Sequence, residues 1–89
     1  MVEKKIVVKN KLGVHARPAA MLVKTAASFR SDIHLAREGQ IINGKSIMGV
    51  MMLAANLGSE VTISAKGEDE QKAVDAIAKL FEDRFGEVE

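Results

Sequence analysis

The side chains best placed for covalent chemistry are an imidazole and a guanidinium two residues apart, His15 and Arg17, followed at once by Pro18. Residues 13–20 read Gly-Val-His-Ala-Arg-Pro-Ala-Ala. Proline is welcome in the first turn of a helix, where its missing N–H is no loss and its fixed φ suits entry. The sequence therefore places His15 at the mouth of a helix beginning at Ala16. Backbone N–H groups at such a mouth, here those of Ala16 and Arg17, favour an anion. An imidazole nitrogen can attack a phosphoryl group, hold it covalently and release it again. A guanidinium beside it can pair with the phosphate oxygens. The expected chemistry is reversible phosphorylation of His15, with Arg17 handling the phosphate. A histidine in a surface loop has no such role by itself. The helix mouth, Arg17 and Pro18 together distinguish this one.

Other patterns carry less. Residues 39–46, Gly-Gln-Ile-Ile-Asn-Gly-Lys-Ser, fit the nucleotide-binding pattern GxxxxGK[ST],. A phosphate loop must be free to wrap its ligand, yet Gln40-Ile41-Ile42 reads as strand. The only later strand lacks the Asp that would hold magnesium. The match is a coincidence of composition. His34, the only other histidine, alternates with Ile33 and Leu35 and is expected to face solvent. No metal site is expected, because neither histidine has a carboxylate at ligand spacing. No GxSxG pattern supports a serine triad.

The elements that must position His15 follow from periodicity. Residues 2–8 read as a strand, and 12–14 as a loop in which Gly13 can take a backbone angle closed to other residues. Residues 16–27 read as a helix with Ala19, Leu22, Val23 and Ala26 on one face. Ala20, Lys24 and Ala27 form a second stripe, small and basic, that is either a solvated face or a place for close approach. Residues 32–37 and 40–43 read as strands joined at Glu38-Gly39. Ser46 is a natural N-cap for a short helix over 47–53. That helix is apolar nearly all round, so some of Ile47, Met48, Val50, Met51, Met52 and Leu53 must face water. Its methionines suit either an adaptable docking surface or core filling. Residues 60–66 alternate with Val61, Ile63 and Ala65 inward, and Glu68-Asp69-Glu70 open the last helix. Ala73, Val74, Ile77, Leu80, Phe81 and Arg84-Phe85 mark its core face, and Gly86 closes it. The order βαββαβα predicts an α+β fold, with helices on one face of a mostly antiparallel sheet.

The bulk properties bound the reading. Eighty-nine residues, 47% hydrophobic and 28% charged, predict a single domain over 1–89,. The absence of cysteine excludes disulfides and thiolate metal sites,. The apolar runs are too short for a signal peptide or a membrane span, so the expected location is the cytoplasm. The net charge of +1 hides an asymmetry: residues 1–66 hold ten Lys/Arg against four Asp/Glu, and residues 67–89 hold three against eight. The basic part predicts a positive face for acidic partners or phosphates. Nucleic acid is not the expected partner, since there is no Trp or Tyr to stack on bases,.

Taken with Lys-Ser-Ile-Met-Gly-Val-Met-Met-Leu at 45–53 and Gly-Glu-Asp-Glu-Gln-Lys-Ala-Val at 67–74, the 13–20 segment resembles the histidine-containing phosphocarrier (HPr) family. That family serves the bacterial phosphoenolpyruvate-dependent phosphotransferase system, and the likeness runs essentially end to end. The resemblance implies an open-faced β-sandwich, four antiparallel strands under three helices. It implies phosphate passing from phosphoenolpyruvate through enzyme I to Nδ1 of His15, then to an enzyme IIA domain, with Arg17 handling the phosphate. No cofactor is implied, and the expected working form is a monomer. Ser46 resembles the family's regulatory serine, substrate of an ATP-dependent kinase/phosphorylase, with a transcriptional regulator as a further partner. With the family in view, Ala20, Lys24, Ala27, Ile47, Met48 and Met51 read as one docking surface around His15. Leu12 departs from sugar-branch members, which often carry a small polar residue there. It leaves a nitrogen-related or purely regulatory branch as the second reading, although His15 argues against the paralogues that have lost this histidine.

Overall fold

The computed structural model describes residues 1–87. Its elements follow the expected order: β1 Val2–Val7, α1 Ala16–Ala27, β2 Asp32–Arg37, β3 Gln40–Asn43, α2 Ile47–Met52, β4 Glu60–Lys66 and α3 Glu70–Glu82. The four strands form one antiparallel sheet in the order β1-β4-β2-β3. The sheet is built by alternation. Ile33 and Leu35 of β2 and Val61, Ile63 and Ala65 of β4 are buried, while Asp32 and His34 are exposed. Because side chains alternate across a strand, these five share one face, and register brings Ile33 opposite Ala65 and Leu35 opposite Ile63,. The helices cover that face: Ala19, Leu22 and Ala26 of α1, Val50 of α2, and Ala73, Val74, Ile77, Ala78 and Phe81 of α3 join the strand residues in one core. The other face is open, the architecture the resemblance implies.

The β2–β3 connection is a two-residue hairpin with φ of 48° at Glu38 and 84° at Gly39. Positive φ at both positions is the turn whose twist matches the flanking strands. Residues 40–43 are therefore paired backbone, not a loop free to wrap a nucleotide.

Asp69 departs from the simple dipole expectation. Although it is the N-cap of α3, its carboxylate makes no cap hydrogen bond. It accepts instead from the Arg30 and Ser31 amides, both at 3.0 Å, and from the Ser31 hydroxyl. The start of the last helix is thereby stitched to the turn between α1 and β2. These hydrogen bonds, that of the Ser31 hydroxyl foremost and that of the Arg30 amide next, hold the Asp69 carboxyl at about 2, below the ordinary 3.8,. A carboxyl whose folded pKa is depressed contributes stability above its unfolded value and loses it as pH falls through the folded one. The gap between wild type and Asp69→Asn in urea unfolding is expected to be open at pH 7 and to close between about pH 4 and pH 2. An undiminished gap at pH 2 would remove Asp69 from the acid response.

The last helix ends earlier than its apolar pattern suggests. Helical geometry stops at Glu82, and Arg84 and Phe85 both take left-handed backbone, φ 54°. Such a conformation is unfavourable for a bulky residue. Burial of the Phe85 ring, edge-on to Phe81 with centroids 4.9 Å apart, holds it there. The reversal sends the chain back toward the start of α1 instead of onward along the helix axis.

Candidate functional site: a histidine at a helix mouth

Gly13 shapes the loop that delivers His15. Its φ of 71° lies in the left-handed region, and a Cβ there would sit 2.6 Å from the carbonyl oxygen of Ala55. Only glycine meets both demands. Next along, the Val14 amide donates to the Ala55 carbonyl at 2.9 Å, which fixes the loop against the segment after α2. The chain then enters α1, with His15 as N-cap in extended conformation and its carbonyl accepting from the Ala19 amide at 2.8 Å. The imidazole makes no capping hydrogen bond. The amides of Ala16 and Arg17 belong to the first turn, which has no intrahelical acceptor for them. Pro18 is buried in that turn and contributes no donor,. The His15 side chain is 38% exposed and that of Arg17 65%. Both groups can meet a macromolecule.

Two residues unforeseen in the sequence complete the site. The Glu87 carboxylate lies across it, Oε2 at 2.9 Å from Nε2 of His15 and 3.9 Å from Nη1 of Arg17. Its other oxygen accepts from the side-chain amide of Asn10 at 3.0 Å. Asn10 is fully buried and donates also to the carbonyl of Gly13. Glu87 therefore titrates below the usual carboxylate range, chiefly through the Asn10 hydrogen bond and further through His15 and Arg17, against the opposing pull of burial,. The basic site thus carries a resident acid. One member of the acidic C-terminal part folds back onto the positive segment near His15.

The other expected residues fall as follows. Ser46 is the N-cap of α2, and its hydroxyl accepts from the Gly49 amide at 3.1 Å. Ile47, Met48, Met51 and Met52 are exposed, Met48 by 71%, and only Val50 of that helix is buried. Of the two readings of its methionines, core filling is overturned: a two-turn helix has one face toward the core, and Val50 takes it. Leu53, expected as its last helical residue, caps it and is buried. Ala20, Lys24 and Ala27 form an exposed stripe on α1, which packs beside α2. Leu12 is 70% exposed. His34 is exposed on β2, opposite Asn43 and Ser64. Among the described residues, no group of three or more His, Cys, Asp or Glu could hold a metal ion, and no helix is long and apolar enough to cross a membrane.

The family model described as "PTS HPr component phosphorylation site" matches residues 2–83. The chain belongs to the HPr family. It is 48% identical over 87 residues to the phosphocarrier protein HPr of Xylella fastidiosa (strain 9a5c), with 98% of each chain covered. It is 47% identical over 83 residues to the HPr-like protein Crh of Bacillus subtilis (strain 168), covering 93% of this chain and 98% of that one. Among solved structures, HPr from Thermoanaerobacter tengcongensis superposes with a TM-score of 0.95 at 47% identity, with 98% of each chain covered. Membership of the HPr family gives the chain a phosphocarrier role in the phosphotransferase system.

Proposed function

We propose that this chain accepts a phosphoryl group on His15 from enzyme I, charged by phosphoenolpyruvate, and passes it to enzyme IIA domains in the cytoplasm, one copy acting alone. It turns over no substrate by itself and serves as substrate for those enzymes. The observation that carries this reading is the position of His15: half-exposed, at the mouth of α1, with a ring that caps nothing. The Ala16 and Arg17 amides and the Arg17 guanidinium would receive the phosphate oxygens, as an anion at a helix start requires. Ala20, Lys24, Ala27, Ile47, Met48 and Met51 would form the surface partners meet, an apolar patch with a basic rim,. The test is incubation with phosphoenolpyruvate and enzyme I. The protein is expected to gain one phosphate that is lost in acid and kept in base. A protein that stays unlabelled overturns the reading.

Ser46 is the proposed regulatory site, read by a kinase/phosphorylase and, once phosphorylated, by a transcriptional regulator. A phosphate there adds roughly −1.5 to −2 charge at a helix start that tolerates it, and it would repel acidic partners docking nearby. With kinase and ATP, phosphoserine is expected at residue 46 and nowhere else. Ser46→Ala should prevent it and, by removing the hydroxyl that accepts from Gly49, destabilise the fold by about 1 kcal/mol,. Phosphoserine at another position would refute the assignment. A second reading, a nitrogen-related or purely regulatory branch, is favoured by the 47% identity to the HPr-like protein Crh and by exposed Leu12 beside the site. Its purely regulatory form keeps Ser46 as the switch and leaves His15 idle, and the labelling experiment separates that form from the carrier.

A further inference from the structure

Glu87 stands where a nucleophilic imidazole would be aimed. We infer that Glu87 is a positioning residue for phosphoryl transfer, holding the proton of His15 on Nε2 so that Nδ1 presents its lone pair to phosphorus. This rests on the phosphocarrier reading above. A carboxylate can only accept, so the 2.9 Å contact between Oε2 and Nε2 requires the N–H to be at Nε2,. A neutral imidazole carries one ring proton, and the lone pair is then on Nδ1. The carboxylate is itself held: its other oxygen accepts from Asn10, which is fully buried and grips the carbonyl of Gly13, two residues before His15. Acid and imidazole are thus referred to one loop. This is the arrangement by which a buried acid orients a catalytic or metal-binding histidine elsewhere.

The charge changes during transfer give the carboxylate its purpose. As the Nδ1 lone pair forms the bond to phosphorus, the bond from phosphorus to the donor breaks and the donor atom keeps that electron pair. The ring, still protonated at Nε2, becomes a cation. Glu87 is already against that proton and stabilises the charge where it develops. On the return step the Nδ1–phosphorus bond breaks, its pair returns to Nδ1, and the ring is neutral again with the same tautomer. Arg17, at 3.9 Å, is beyond hydrogen-bond length from the same oxygen and can turn to an arriving phosphate without breaking such a bond,.

The test compares wild type with Glu87→Ala and Glu87→Gln. Long-range proton–nitrogen spectra of the imidazole at neutral pH read the tautomer, and phosphorylation with limiting enzyme I at several carrier concentrations separates docking from transfer. Glu87→Ala is expected to shift His15 toward a mixture of tautomers and slow transfer by roughly 10- to 100-fold, with the carrier KM little changed. Glu87→Gln should not rescue it: Asn10 and His15 meet different oxygens of the carboxylate, and the amide would turn an N–H toward one of these two donors,. Wild-type transfer in either variant overturns the inference, as does slow transfer with an unchanged tautomer. A wild type that takes up no phosphate defeats the carrier reading instead, and the tautomer spectra, which need no donor, still judge the clamp.

Discussion

His15→Ala is expected to abolish the acid-labile phosphate completely and to leave the stability of the fold within about 0.5 kcal/mol of wild type. Both halves follow from the same geometry. What His15 contributes to the architecture is backbone: its carbonyl accepts from Ala19, and its extended conformation starts α1. Alanine supplies both. Its ring caps nothing, and the hydrogen bond it makes is to Glu87, which keeps Asn10 and the nearby Arg17 guanidinium when the imidazole is gone. No buried group loses its partner, so the usual cause of a large penalty is missing. What disappears is the proposed nucleophile. The control is His34→Ala. That ring is exposed on β2, opposite Asn43 on one side and Ser64 on the other. It should label as fully as wild type. Phosphate retained in His15→Ala and lost in His34→Ala would move the active group to the open face of the sheet. A loss of stability above about 2 kcal/mol in His15→Ala, measured by urea unfolding, would make the missing phosphate uninformative.

The site was legible as far as its parts are local. A helix start is announced within a few residues of itself, and α1 begins and ends where Pro18 and the apolar spacing place it, at Ala16 and Ala27. Strand alternation over 32–37 and 60–66 gave buried and exposed faces for the same reason: period-two burial needs no knowledge of the partner strand,. Glu87 and Asn10 could not be found that way. Their contact spans 77 residues, and that of Glu87 with His15 spans 72. An asparagine between two lysines after a strand has no local mark of burial. An acid in an acidic tail has no mark of being the one that returns. The separation of basic and acidic parts was the available signal. By itself it predicts a surface for partners, whereas part of the attraction is satisfied inside the molecule.

The end of α3 departs from its apolar period for a related reason. Phe81 and Phe85 are four apart, the spacing of one helical face, and periodicity alone extends the helix through both. The structure instead brings them together by a reversal: Phe85 is buried from a left-handed backbone, in edge contact with Phe81. A four-residue spacing records that two side chains meet the same core. It does not record the path between them.

That reversal leads to the second large effect. Phe85→Ala is expected to destabilise the protein by about 3 kcal/mol, at the low end of the 3–5 kcal/mol typical of buried Phe→Ala changes. The reason for the low end is conformational. Phenylalanine at φ 54° is strained, and a smaller side chain relieves part of that while losing the burial,. For a domain of this size each kcal/mol moves the melting temperature by about 4–8 °C, so a fall of roughly 12 °C or more is expected. Phe85→Leu, which keeps most of the apolar volume, should cost only about 1–2 kcal/mol. The functional consequence separates this from an ordinary core deletion. Glu87 follows two residues later, its amide donating to the Arg84 carbonyl at 2.9 Å within the turn that Phe85 anchors. With the anchor gone, the turn has lost the contact that offsets its strain, and the carboxylate should leave His15 while the rest of the fold remains. In the folded fraction of Phe85→Ala, below its melting temperature, the His15 ring should therefore show the mixed tautomers expected of Glu87→Ala. Phe81→Leu, which thins the same aromatic pair from the helix side but leaves Phe85 seated, should keep the Nε2 proton in place. Unchanged imidazole signals in Phe85→Ala would mean that Asn10 alone suffices to hold Glu87, and that the buried ring serves the core without governing the site.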